Sequence, residues 1–191
     1  TSFTATFDGD GSFTLIDDAI INPGGGALGF DIDMTFLGLS TFSMESGGDV
    51  TFGAANSVVF NGNQVLANGG PGTASELVFA GDVDFAGGAT ALTSTGNVNW
   101  TFGGDVTFTD VLAFSGDSVS TARYTFNGAS TLDFTDAVKF NVDSATVDVD
   151  SNVNLAAGMT LSSINSGAFN FGGVTTLTGD LNLDVADRGV I

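Results

Sequence analysis

The chain has no cysteine, no histidine, two prolines, and only three basic residues, Arg123, Lys139 and Arg188. Each scarcity closes off a class of chemistry. Without His or Cys there is no imidazole base, no thiol nucleophile, no haem ligation and none of the usual zinc sites. No disulfide framework exists, so stability must come from packing, strand ladders, or a metal held on oxygen ligands. Three cations against 22 acids give a formal net charge of −19. Such a chain offers no basic surface to nucleic acid or anionic lipid. No run approaches the ~18 apolar residues of a membrane helix. No basic, apolar leader opens the sequence, which starts at Thr1 and reads as a mature form or an excerpt.

What is present points to strands. The acids are 20 Asp and two Glu, beside 28 Gly and 18 Phe in 191 residues. Gly and Asp are poor helix residues, whereas Thr, Phe and Val suit a pleated surface. No stretch carries apolar residues at helical spacing; short alternating runs are instead punctuated by Gly, Asn or Asp. At 42% hydrophobic, the chain carries more apolar surface than a disordered acidic tail.

A repeat organises these runs. Residues 48–52, 81–85 and 104–108 read Gly-Asp-Val-Thr-Phe, Gly-Asp-Val-Asp-Phe and Gly-Asp-Val-Thr-Phe. One anchor per repeat falls at Phe7, Phe30, Phe52, Phe79, Phe102, Phe126, Val149 and Phe171, in steps of 23, 22, 27, 23, 24, 23 and 22 residues. The long step contains a loop-like stretch, Ala67 to Ser75, read as a corner insertion at 67–75. Within repeats, further anchors follow at six-residue intervals, as in Phe102, Phe108 and Phe114, or Val149, Leu155 and Leu161. Most anchors have an apolar residue two positions earlier, which alternation places on the same face of a strand.

Three short strands per repeat, with the same face recurring every 22–24 residues, predict an all-β, right-handed parallel β-solenoid (a β-helix) of about eight coils, a single domain over 1–191. At the strand spacing it would be a rod about 38 Å long. Its predicted core has three columns. The eight anchors form the first; Phe85, Phe108, Phe134, Leu155 and Leu177 form the second; Phe42, Phe114, Phe140, Leu161 and Leu183 form the third. Trp100 and Tyr124 are expected to face inward. The outward positions between inward pairs are small and mostly polar, and none of them forms an aromatic platform.

The acids invite two chemical readings. Paired carboxylates such as Asp82/Asp84 or Asp148/Asp150 resemble those of pectin-active β-helices, but here the Asp residues scatter through turns, which they cap through their own backbone. Lys139 and Arg123 look isolated in the pattern. The chain therefore reads as no enzyme. Calcium is the one cofactor the pattern allows. Asp8-Gly-Asp-Gly-Ser12, with Asp8 and Asp10, resembles the opening of an oxygen-ligand loop, yet Ala19 stands where an EF-hand needs Glu. Stacked corner acids, Asp82 with Asp105, are the other candidate pair. The Asn99-Trp100-Thr101 sequon is read as chance.

Neither end shows a capping helix or polar capping repeat. Open ends expose unpaired strand edges, which invite end-to-end pairing. The expected junction comprises Phe3, Ala5 and Phe7 at one end and Val185, Val190 and Ile191 at the other. The Gly-Asp-Val-Thr-Phe and Thr-Phe-Asn-Gly phrases resemble bacterial β-strand-repeat surface proteins, the autotransporter passengers and filamentous adhesins. That resemblance implies a secreted right-handed β-helix with a structural or adhesive role at the cell surface. It carries no functional residue across. The expected function is a subunit of a head-to-tail surface or matrix filament, such as a biofilm fibre, or an adhesin stalk. Its partner would be itself, and extracellular polysaccharide is a further candidate. A carbohydrate-binding or carbohydrate-active β-helix and a calcium-dependent adhesive module are the alternatives.

Overall fold

The computed structural model describes residues 4–44, 47–62, 64–67, 75–86, 90–95, 98–109, 112–115, 122–127, 131–134, 139–143, 145–155, 157–186 and 190–191. Among them there are strands and turns but no helix. In chain order the strands are β1 Thr4–Leu15, β2 Ala19–Ile21, β3 Ala27–Phe36, β4 Ser40–Ser43, β5 Asp49–Phe52, β6 Val58–Phe60, β7 Gln64–Ala67 and β8 Ser75–Phe79. They continue with β9 Val83–Phe85, β10 Thr90–Thr95, β11 Val98–Phe102, β12 Val106–Phe108, β13 Leu112–Ser115, β14 Ala122–Phe126 and β15 Thr131–Phe134. The last are β16 Lys139–Asp143, β17 Ala145–Val149, β18 Asn152–Leu155, β19 Thr160–Ile164, β20 Ala168–Phe171, β21 Thr175–Leu177 and β22 Asn182–Val185.

Every pairing is parallel and joins strands one repeat apart, so the chain is a parallel β-solenoid. One ladder runs β3-β5-β8-β11-β14-β17-β20 and a second runs β3-β6-β9-β12-β15-β18-β21, with β1 laid along β3. A third runs β2-β4-β7-β10-β13-β16-β19-β22. β1 and β3 differ from the expected short strands: at 12 and 10 residues they pass the first corner without a break and serve both of the first two ladders. A bulge between Asp8 and Ser12 absorbs the extra residues of β1.

Alternation fills the interior with rings. Down the first ladder, neighbouring ring centroids lie 5.1 Å apart for Phe30–Phe52, 4.9 Å for Phe52–Phe79, 5.3 Å for Phe79–Phe102 and 4.7 Å for Phe102–Phe126. A second column, Phe36–Phe60–Phe85–Phe108, stacks at 4.9, 5.3 and 4.7 Å. The two meet edge to face, as where Phe60 approaches Phe79 at 86°. In-register repeats place each ring over its like, and the offset stack adds to the area buried. Trp100 and Tyr124 are also buried, and the Tyr124 hydroxyl donates to the Leu92 carbonyl at 2.9 Å. Phe60 and Met34 are core residues outside the expected columns.

Phe30, Phe42, Phe52, Phe79, Phe85, Phe102, Phe108, Phe126, Val149, Leu155 and Leu161 are buried as expected. Four expected core residues are not. Phe7, Leu177 and Leu183 are exposed and Phe171 is only half-buried, because each sits in an outermost layer with a neighbour on one side. The third column also departs from a single row. Phe42 lies opposite Leu66, Phe114 opposite Leu92 and Val142, and Phe140 opposite Leu112 and Leu161. Gln64 to Leu92 and Phe114 to Val142 are 28-residue steps, so the ladder creeps along its rows. A slip of two preserves which face is inward, so packing tolerates it. For Phe114, Phe134 and Phe140 only backbone pairing is described. The insertion expected at 67–75 falls between the end of β7 at Ala67 and the start of β8 at Ser75, and residues 68–74 lie outside the described residues.

Corners explain the Gly-Asp phrase. A Cβ at Gly81 would collide with the Asn56 carbonyl oxygen, and one at Gly104 with the Gly81 backbone, so only glycine lets successive corners stack. The adjacent Asp82 carboxylate accepts the Asp105 backbone N–H at 2.9 Å. Asp33 accepts from Ser57 at 2.7 Å, Asp49 from Glu76 at 3.1 Å and Asp18 from Leu39 at 3.0 Å. These acids cap the corner one coil further on rather than their own turn.

Candidate functional site at the ends of the solenoid

The expected junction residues occupy the two edges of the ladders. β1 and β2 form one edge; β20, β21 and β22 form the other. At the β1 edge the interior opens as an apolar hollow of about 400 Å³, walled by Phe7, Phe13, Leu15, Leu28, Phe30 and Ile32, with Asp8 and Asn22 among its few polar lining groups. Phe7 is 55% exposed and stacks on Phe30 from one side only, at 5.3 Å. Ala5 is half-buried in the same strand, and Phe3 lies outside the described residues.

At the opposite edge, Leu177, Leu183 and Val185 are exposed although they occupy inward rows. Val190 goes further. It bridges Ala168 in parallel, donates its N–H to Gly167 O at 2.9 Å and accepts from Phe169 N–H at 3.0 Å, so the first ladder continues beyond β20. Val190 and Ile191 are both exposed.

The rows at the two edges correspond. Successive partners carry Phe7 through Phe30, Phe52 and their successors to Phe171. The row of Leu15 runs through Phe36 towards Leu155 and Leu177. The row of Ala19 runs through Ser40, Gln64, Leu92, Phe114, Val142 and Ser163 to Val185. An apolar side chain therefore leads each row at both edges.

Of the candidate metal residues, Asp82 and Asp105 are brought together on successive coils, and Asp8 and Asp10 lie apart from them on β1. Asp8 and Asp10 are exposed along β1, and Asp82 is engaged with the Asp105 amide. Among the described residues no group of three or more acids converges as a metal site. One acid is electrostatically unusual. Asp84, between Val59 and Thr107 on the outer side of the second ladder, has a covered carboxylate oxygen that accepts no hydrogen bond among the described residues. Burial pushes its carboxyl above the ordinary Asp value. Arg123 corrects the expectation of an isolated cation: its Nε donates to the Asp148 carboxylate on the next coil. The two residues lie 25 positions apart, close to one repeat, and stacking of the coils brings them together.

The chain matches no protein-family model, no curated protein and no solved structure.

Proposed function

We propose that this protein is a non-enzymatic, extracellular structural element, a subunit that stacks head to tail into a surface or matrix filament, or that forms the stalk of an adhesin. In this reading the rod has eight coils of 22–24 residues, with three short strands per coil except where β1 and β3 each run through the first corner as one, wound right-handed as parallel crossovers prefer. The bacterial β-strand-repeat surface proteins it resembles supply the extracellular setting. One observation carries the proposal: the rows that lead apolar out of the β1 edge lead apolar out of the β20–β22 edge as well. A second copy placed with Phe7 over Phe171 and Leu15 over Leu177 continues two core columns and pairs its β1 with β21 and with the end of β20 that Val190 leaves open. Such a contact is heterologous and does not close, so it propagates. Continuous ladders and stacked rings then give a stiff fibre with few exposed backbone groups.

The test is light scattering and negative-stain imaging of the purified chain beside Phe7→Asp and Val185→Asp. The chain itself is expected to form long unbranched fibres. Each variant is expected to stay short while keeping the far-ultraviolet strand signal. Monodisperse short rods of the unaltered chain at high concentration, or fibres unchanged in both variants, overturn the junction.

A further inference from the structure

On the flank of the rod, away from both edges, lies a polar groove of about 400 Å³ over β8, β11, β14 and β17. It is built from two adjacent rows. Glu76, Asn99 and Arg123 are successive partners in one. Thr101, Thr125 and Asp148 are successive partners in the other. We propose that this groove binds a neutral, hydroxyl-rich glycan.

Three features carry the inference. First, the groove is held in place by its own bonds. Arg123 Nε donates to Asp148, Asn170 Nδ2 donates to the other Asp148 oxygen at 2.7 Å, and Thr101 Oγ1 donates to Glu76 at 3.3 Å. A ligand finds these side chains already ordered, which removes part of the cost of binding. Second, engagement through Nε leaves the two terminal guanidinium nitrogens without a partner among the described residues, a planar fork lining the groove although the side chain is 59% exposed. Along the rows, at the strand spacing of about 4.8 Å, the acceptors Glu76 and Asp148 and the donor Arg123 flank Asn99, Thr101 and Thr125, which do both. A sugar hydroxyl, being both donor and acceptor, satisfies such an array, whereas a purely anionic or apolar ligand does not. Third, charge selects among glycans. Glu76, Asp148 and Asp150 outnumber Arg123 in the groove, and the whole chain carries −19, so polyuronates and phosphorylated chains are repelled. Trp100 and Tyr124, the rings able to stack on a sugar, are buried. Recognition is therefore polar and weak at a single site, and gains strength only where rods present many copies.

The groove is tested on rods kept single by Phe7→Asp, carried in every sample, by native gel electrophoresis through gels containing a neutral soluble glucan (hydroxyethyl cellulose, dextran or a β-1,3-glucan) or polygalacturonate. At least one neutral glucan is expected to retard the chain. Arg123→Lys, which keeps the charge and loses the fork, is expected to bind about tenfold more weakly, the scale of one charge-assisted hydrogen bond. Thr101→Val, which leaves the Arg123–Asp148 pair intact, should weaken retardation without lowering the melting temperature. Three results overturn the proposal: no retardation by any neutral glucan, retardation by polygalacturonate alone, or both variants retarded as strongly as the unaltered chain. None of these bears on filament formation, which the end variants test separately.

Discussion

A single side chain in this molecule is worth what its layer makes it worth. Phe102 has a ring above and a ring below, Phe108 stacks on Phe85, and both are buried, so truncation removes both area and stacking partners. Phe108→Ala is expected to cost about 3–5 kcal/mol, and Phe108→Asp to prevent folding by placing an unpaired charge among rings. Phe7→Ala, in the same kind of column but in an edge layer, is expected to cost a small fraction of that; chemical denaturation of the three variants checks the contrast. Asp84 gives a pH test. Its folded pKa lies above the unfolded one, so its ionised form destabilises the fold. That penalty is fully present above the folded pKa, shrinks as pH falls through it, and is gone below the unfolded value, about pH 4. Asp84→Asn is therefore expected to raise the melting temperature at pH 7, with the difference from the unaltered chain fading towards pH 4. A constant difference across that window would assign the effect to something other than ionisation.

Strands here are too short to stand alone, and their corners set how they stack. β9 and β12 are three residues each, and a Gly-Asp pair precedes each of them. The glycine admits the neighbouring corner and the Asp82 carboxylate caps it. Gly104→Ala must push the Gly81 corner away and is expected to cost roughly 1–3 kcal/mol, the range for overpacking. Asp82→Ala removes the cap on the Asp105 amide and is expected to cost about 1 kcal/mol. Thermal melts of the two variants and their double check whether the defects share one corner: coupled residues give a non-additive sum. The same cap accounts for the stacking of Asp82 and Asp105 in the sequence without calling on a cation.

For the whole rod, charge and ends act against each other. Net charge of −19 on 191 residues repels rods side by side and strains each rod internally, while in the proposed filament the apolar edges would favour end-to-end growth. Salt is expected to raise the melting temperature by screening, and calcium and magnesium at equal ionic strength are expected to raise it equally. A calcium shift well beyond that of magnesium, reversed by a chelator, would instead establish a specific site and favour the calcium-dependent adhesive alternative.

The repeat made much of this molecule legible before any coordinates. An interval of 22–24 residues with apolar beats inside it leaves the winding of the chain about one axis as the economical solution, and the inward rows of the first two ladders follow from alternation alone. Spacing also fixed Trp100 and Tyr124 as interior. Periodicity could not reveal where a layer has only one neighbour, so it made Phe7, Leu177 and Leu183 equal to Phe102. It could not show that the third ladder slips by two, since a slip of two leaves the pattern of faces unchanged. The capping role of the acids and the pairing of Arg123 with Asp148 join residues a full coil apart. Those contacts exist only once the coils are stacked, because a local sequence specifies which way a side chain points but not what lies above it.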